Sequence, residues 1–170
     1  MKGVLSFFFV VLAGSVGWAE GTPEDEAYWA SIGLGLAELR SCTASQDSVT
    51  CIGVFADECM TTPDQSHVEQ GNCVAQELKL WQVLQSDTLA DKLEEARRED
   101  QGEALLGMAS GGGRAELLIQ SRSRWIDYAQ AQCALEERRW GAGTIGMTER
   151  PYCHIRMVAG RLEHLKNLDM

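Results

Sequence analysis

The chain has 170 residues, a length that predicts one domain. Its 25 acidic residues against 15 basic ones give a formal net charge of −10, which excludes nucleic acid from the expected partners. Apolar residues make up 45% of the chain, enough for a packed core, so an intrinsically disordered protein is also excluded.

The first 19 residues have the pattern of a secretory signal peptide. Lys2 precedes an apolar run over residues 4–12, and Gly17 and Ala19 place small residues before a cleavage point after Ala19. The apolar run is well short of the roughly 20 residues that span a bilayer. We therefore expect an exported protein, periplasmic or secreted, that has no transmembrane anchor after cleavage and whose residues 20–170 form a single helical domain.

Six cysteines follow the expected cleavage point. An even number of cysteines in an exported chain predicts three disulfides and leaves their pairing open. A metal site is the less favoured alternative, because the chain contains no C-x-x-C pair and its three histidines show no ligand spacing to paired cysteines. We expect neither a metal nor a cofactor. The cysteines are Cys42, Cys51, Cys59, Cys73, Cys133 and Cys153.

The first half of the mature chain shows helical spacing of its apolar residues. The Thr-Pro pair and three acids at 22–26 have the form of a helix start, and an apolar stripe follows at three- and four-residue steps. A short helical segment is predicted over about residues 49–60. Ser66 and Glu69 have the spacing of a capping box, which opens a longer helix that residues 86–88 could interrupt. The stripe consists of Trp29, Ile32, Leu36 and Leu39.

The second half predicts two more helices, over about 115–140 and from about Glu149, joined by a glycine-rich connection over 141–147. The last helix has its apolar residues at 3, 4, 3 spacing, a pattern that packs against another helix. Because no alternating β pattern is present, we expect an all-α, disulfide-linked helical bundle with a C-terminal antiparallel helical hairpin. The predicted core residues of the hairpin are Leu118, Trp125, Tyr128, Leu135, Ile155, Val158, Leu162 and Leu165.

Charge is unevenly distributed along the mature chain. Residues 20–73 hold ten acids and a single base, Arg40, whereas residues 114–170 hold seven acids and nine bases. An acidic end of this kind would attract a cationic partner and speed encounter at low salt.

Motifs for catalysis are missing from the sequence. The segment 141–146 matches the dinucleotide-binding G-x-G-x-x-G pattern, but it follows a predicted helix where the motif requires a strand. The glycines at 111–113 lack the Lys-Ser/Thr of a phosphate-binding loop. No G-x-S-x-G nucleophile motif occurs, and the cysteines are expected to be oxidised. We therefore predict no catalytic residues and no enzyme activity.

Several segments resemble the LprI-type lysozyme inhibitor family. The helix 124–133, the turn 141–144 and the segment 153–165 are similar to that family's Trp-Ile-x-Tyr-Arg-Asp-x-x-Cys helix, Gly-Gly-Ser turn and Cys-x3-Met-Thr-x2-Arg-x3-Leu segment. Residues 51–59 and 73–81 also resemble longer members, so the resemblance covers about 51–165. The chain has Ala129 and Gln130 where the family has Arg-Asp, and Val158 where it has Thr.

The resemblance implies that Cys133 pairs with Cys153 at the ends of the hairpin. The other two expected pairs, Cys42–Cys51 and Cys59–Cys73, follow from proximity between short helices. A Cys133–Cys153 bridge would close a loop of about 20 residues and preorganise it for binding.

Two functions of different class follow. The resemblance implies a protein that blocks the cleft of a lysozyme, and a basic lysozyme would suit the acidic chain. The candidate partner-binding loop is Gly141–Tyr152, in which Arg150 and Tyr152 would meet cleft carboxylates and sugar-stacking surfaces, and Gly141 and Gly143 shape the backbone. The alternative is a structural or interaction protein of the cell envelope with no lysozyme target.

Overall fold

The computed structural model describes residues 23–108, 111–141 and 143–169, with side chains from residue 33 onward. The expected signal peptide and the side chains of Trp29 and Ile32 lie outside the described residues. The elements are α1 (Pro23–Ser45), a 3-10 helix (Ser48–Cys51), α2 (Ala56–Cys59), α3 (His67–Leu105), α4 (Arg114–Glu137) and α5 (Gly146–Lys166). No strand occurs in these ranges, so the all-α class is confirmed.

The central element is α3, which contacts every other α-helix. Its start has the predicted capping box: Glu69 N donates to Ser66 Oγ at 3.3 Å, and Ser66 N donates to Glu69 Oε2 at 2.8 Å. The interruption considered at residues 86–88 is wrong, because the helix continues through them. Thr88 Oγ1 donates back to the Leu84 carbonyl oxygen at 2.9 Å, and Leu84 and Leu89 on either side are buried.

The main core forms where α3 packs against α5. All four residues of the predicted apolar spacing in α5 are buried, which fixes the side of the helix that faces the protein. Leu39 of α1 closes the same core, as its place in the predicted stripe requires. The largest members of this core are Leu39, Leu80, Trp81, Ile155 and Leu162.

The predicted packing face of α4 is partly wrong. Tyr128 is 59% exposed and Leu135 is 64% exposed, although both were expected in the core, and Trp125 is only half-buried. The buried residues of α4 are Leu118, Ala129 and Cys133. Helix α4 therefore turns Ala129 and Cys133, and not Tyr128 and Leu135, toward the protein. The bulky apolar face of α5 is already covered by α3, and the Cys133–Cys153 bridge fixes which side of α4 faces α5.

Contacts between α4 and α5 join late residues of one helix to early residues of the other. Arg161 donates to Ser121 Oγ at 2.8 Å, and Arg156 lies 2.9 Å from Glu136 Oε2. The two helices thus lie side by side in opposite directions, although α3 and not α4 supplies most of the surface that covers α5.

Three disulfides link the helices, with the pairing predicted from the sequence. Cys42–Cys51 joins α1 to the 3-10 helix, Cys59–Cys73 joins α2 to α3, and Cys133–Cys153 joins α4 to α5. Their Cα–Cα distances of 5.9, 5.7 and 5.7 Å fall in the usual range for disulfides.

A buried carboxyl group anchors the segment before α2. Glu77 of α3 is fully buried, and its two oxygens accept hydrogen bonds from the backbone nitrogens of Gly53, Phe55 and Ala56 at 2.7–3.2 Å. The Trp81 indole donates a fourth hydrogen bond at 3.0 Å. The side chain thereby satisfies otherwise unpaired N–H groups at the start of α2 and at Gly53, whose φ of 97° suits glycine.

A second carboxylate, Glu163 of α5, anchors the 3-10 helix. Its Oε2 accepts from Ser48 Oγ at 2.8 Å and from Ser48 N at 3.1 Å, and Asn167 and Lys166 contact it as well. These hydrogen bonds, those from Ser48 first, lower the pKa of Glu163 from 4.5 to about 2. Because the folded-state pKa is depressed, the stabilisation is present above the unfolded pKa and is lost as pH falls through about 2.

We therefore expect the stabilisation by Glu163 to depend on pH in this window. The difference in thermal midpoint between the wild type and Glu163→Gln should be largest at neutral pH and should shrink as pH falls from about 4.5 toward 2. Glu38→Gln, at an exposed position of α1, is the matched control and should show no such trend. A Glu163→Gln difference that stays constant across this pH range would contradict the prediction.

Candidate functional site

The candidate site lies where α4 turns into α5. The described residues between the two helices are 138–141 and 143–145, hereafter the α4–α5 loop, and α5 begins at Gly146. The predicted helix start near Glu149 is therefore too late, and Arg150 and Tyr152 lie on the helix and not in a loop. Gly141 and Gly143 do lie in the loop, and Gly141 has φ of 60°, a left-handed conformation that glycine adopts without strain.

The Cys133–Cys153 disulfide lies at the base of this loop. It joins the last turns of α4 to the second turn of α5 across 20 residues, and both cysteines are buried. Arg150 forms a salt bridge with Glu137 between the disulfide and the loop. The ends of the loop are thus held by one covalent link and one ion pair, which limits the conformations that the residues between them can adopt.

Large apolar side chains on and beside the loop are exposed. Trp140 is 45% exposed, Ile145 is 54% exposed and Met147, in the first turn of α5, is 46% exposed. Exposed apolar groups clustered in one place are typical of protein–protein contact surfaces, and tryptophan is enriched among the residues that dominate binding energy. The sequence prediction did not include these three residues. The sequence does indicate them, because large apolar side chains beside a glycine-rich connection are unusual where polar residues are expected.

A groove of about 820 Å³ runs beside the loop, between the first turns of α3 and the first turns of α5. Three of the four predicted loop residues, Gly141, Gly143 and Arg150, line it. Val68 and Met147 add apolar surface. The structure therefore brings most of the predicted site together with an apolar surface that the sequence prediction did not include.

The two walls of the groove approach closely at Gly71. A Cβ atom at this position would lie 3.2 Å from the Met147 carbonyl oxygen, closer than ordinary van der Waals contact. Pro151 has no N–H with which to bond that oxygen four residues earlier, so this helical hydrogen bond is missing at the groove. Glycine at position 71 thus sets the distance between α3 and α5 at the groove.

Arg150 contributes a positive charge to the groove wall. Its neighbour His154 has a lowered pKa, first because of burial and then because of the Arg150 charge, which favours the neutral imidazole. Glu137, the partner of Arg150, also lines the groove. A carboxylate on an approaching surface could replace Glu137 at the Arg150 guanidinium, whose planar fork suits carboxylates.

Tyr152 does not line this groove. The side chain is half-buried and packs against the main core of α3 and α5. Burial raises the pKa of its hydroxyl, and the nearby carboxylates of Asp57, Glu77 and Glu149 raise it further. Tyr152 therefore packs the first turns of α5 against the core and is not part of the groove surface.

The described ranges give no support for a metal site, a membrane-spanning helix or a dinucleotide-binding motif. No group of three or more potential metal ligands comes together among them, and no helix there is both long and apolar enough to cross a membrane. The G-x-G-x-x-G segment follows α4, as the sequence suggested, and no strand precedes it in the described part of the chain.

Fold and site together define a small, disulfide-linked helical domain that presents an apolar loop beside a groove. Residues 59–165 match the family model described as "Lysozyme inhibitor LprI". The match covers more than half of the chain, so the protein belongs to the LprI lysozyme inhibitor family. Comparisons with curated proteins and with solved structures give no match.

Proposed function

We propose that this exported protein binds a lysozyme through the α4–α5 loop and blocks its substrate cleft. The observation that carries the proposal is the exposure of Trp140 and Ile145 on the α4–α5 loop and of Met147 in the first turn of α5, beside a loop closed by the Cys133–Cys153 bridge, in a member of an inhibitor family. A preorganised loop loses little conformational freedom on binding, so more of its contact energy is available for affinity.

A charged residue of α5 beside the loop suits the chemistry of the proposed target. Glycoside hydrolases commonly have two carboxyl groups beside the scissile bond, and Arg150 lies at the mouth of the groove where it can pair with such a group. Trp140 provides a flat apolar surface of the kind that fills a sugar-binding cleft.

Charge on the remainder of the surface favours encounter with a basic lysozyme. The described part of the acidic segment 20–73 exposes Asp57, Glu58, Asp64 and Glu69, and Glu69 is adjacent to Val68 on the groove wall. Attraction between opposite net charges speeds association and is screened beyond about 10 Å at 0.1 M salt.

We expect Trp140→Ala and Arg150→Ala to weaken inhibition of an animal-type lysozyme in a turbidity assay with a cell-wall substrate. The inhibition constant should rise about 30-fold for Trp140→Ala, as for a residue that dominates a binding interface. The thermal midpoint should fall only modestly, because Trp140 is 45% exposed and lies outside the two core clusters, and an exposed ion pair contributes little stability. Tyr152→Ala does not test the binding surface cleanly, because Tyr152 packs against the core and its removal would also lower stability.

Leu117→Ala is the matched control, because Leu117 is an exposed apolar residue near the start of α4, far along the helix from the loop. It should inhibit as the wild type does, and the inhibition by both proteins should decrease as salt rises. Absence of inhibition by the wild type at micromolar concentration, against animal-type and bacterial lysozymes alike, would reject the proposal. The protein would then be better described as an interaction protein of the cell envelope, with its acidic segment as the first surface to test.

A further inference from the structure

A second cavity, of about 330 Å³, lies between the middle turns of α3, α4 and α5. It shares only His154 with the groove beside the α4–α5 loop. Its floor is apolar and buried, formed by Leu89, Ala129 and Val158. Its rim is polar and exposed, so the cavity is a cleft that a solute can enter from solvent.

A hydrogen-bond donor in this cleft has no protein partner. Gln85 lines the cleft, and its buried Nε2 atom donates to no acceptor among the described residues. A buried amide that makes no hydrogen bond lowers the stability of the folded state, so such groups are uncommon in folded proteins. A ligand that accepts a hydrogen bond from Gln85 would recover this loss.

The other lining groups define the chemistry of such a ligand. Gln82 and Gln130 supply two more neutral amides at the rim, each able to donate and accept, and Trp125 supplies a half-buried aromatic ring. The charged group in the lining is Arg122, and His154 has a lowered pKa that favours its neutral form. No carboxylate lines the cleft in the described part of the chain, so a cation has no counter-charge there.

Two consecutive residues of α4, Ala129 and Gln130, both line the cleft. The small alanine side chain leaves space above the buried floor, and the exposed glutamine places a neutral amide at the rim.

We propose that this cleft binds a single sugar ring. A pyranose combines vicinal hydroxyls, which pair with side-chain amides that both donate and accept, with a face of C–H groups that packs on an aromatic ring. The cleft combines both kinds of surface, side-chain amides from α3 and α4 and the Trp125 ring of α4, around a space of about 330 Å³. The site is separate from the α4–α5 loop, and sugar binding does not depend on lysozyme inhibition.

Saturation-transfer NMR with N-acetylglucosamine as the probe tests the proposal on the oxidised mature protein. We expect transfer to the sugar ring protons, with millimolar affinity, as a small ligand with few buried contacts should show. Gln85→Leu and Gln130→Ala should each weaken binding about tenfold, the effect of losing one hydrogen bond. Gln101→Leu, an exposed glutamine of α3 outside the cleft, is the matched control and should bind as the wild type does.

Folding of the variants is checked by their thermal midpoints. Gln85→Leu should keep or raise the midpoint, because it removes a buried donor that has no protein partner. Gln130 is exposed at the rim, so Gln130→Ala keeps the test decisive even if Gln85→Leu fails to fold. Absence of transfer to the sugar would overturn the proposal. Equal binding by all variants, or displacement of the sugar by cyclohexanol at equal concentration, would also overturn it, because both results are expected of an apolar cavity that is filled without hydrogen bonds.

Discussion

Replacing Glu77 by alanine should lower the free energy of unfolding by about 4 kcal/mol or more. The substitution leaves four N–H groups without their acceptor, those of Gly53, Phe55 and Ala56 and the Trp81 indole, and all but the Phe55 hydrogen bond are buried. Each buried unpaired donor costs about 1–3 kcal/mol, and the removed side chain also leaves a cavity. Urea-induced unfolding measures the loss.

Glu77→Gln should be nearly as harmful, although it keeps the size of the side chain. Each Glu77 oxygen accepts two hydrogen bonds, so either orientation of a glutamine amide would place an NH2 group against two N–H donors. Glu58→Gln, an exposed change in α2, is the control and should unfold as the wild type does. A Glu77→Gln loss below about 1 kcal/mol would mean that the carboxyl group is not the anchor of the segment before α2.

The paired substitution Cys133→Ala with Cys153→Ala should lower both stability and inhibition. The bridge closes a loop of 20 residues, and its loss should cost about 3 kcal/mol in the chain-entropy description. It should also release the α4–α5 loop from one of its two anchors, which raises the ordering cost of binding a partner. Thermal unfolding and the turbidity assay report the two effects separately.

A matched control removes the Cys42–Cys51 bridge by the same substitutions. That bridge closes a 9-residue separation between α1 and the 3-10 helix, so its loss should cost about 2.5 kcal/mol. It does not contact the α4–α5 loop, and inhibition should be retained at temperatures where the variant remains folded. Full inhibition by the Cys133→Ala, Cys153→Ala protein under the same conditions would show that the bridge does not preorganise the loop.

The fold was predictable where a local pattern has one physical solution. The Ser66–Glu69 capping box, the 3, 4, 3 spacing of α5 and the short separations within the Cys42–Cys51 and Cys59–Cys73 pairs each indicate a local geometry, and the structure contains all three. Family resemblance added the Cys133–Cys153 pair, which spacing alone left open.

The rest depends on contacts between residues distant in sequence. The orientation of α4 could not be read from its sequence, since Trp125, Tyr128 and Leu135 form an apolar spacing as good as that of its buried residues. Glu77 was missed as an anchor because its partners lie 21–24 residues earlier, and a single glutamate on a helix carries no signal of burial. Likewise, the exposure of Trp140 depends on how the loop leaves α4.

Hydrogen exchange of the protein, free and in complex with an animal-type lysozyme, tests the central claim most directly. We predict that amides of residues 139–149, on the α4–α5 loop and the first turn of α5, exchange more slowly in the complex. Amides of residues 103–108, at the opposite end of α3, should exchange at the same rate in both states. Protection confined to residues 103–108 or to residues 47–64 of the acidic segment 20–73, with none at 139–149, would contradict the account.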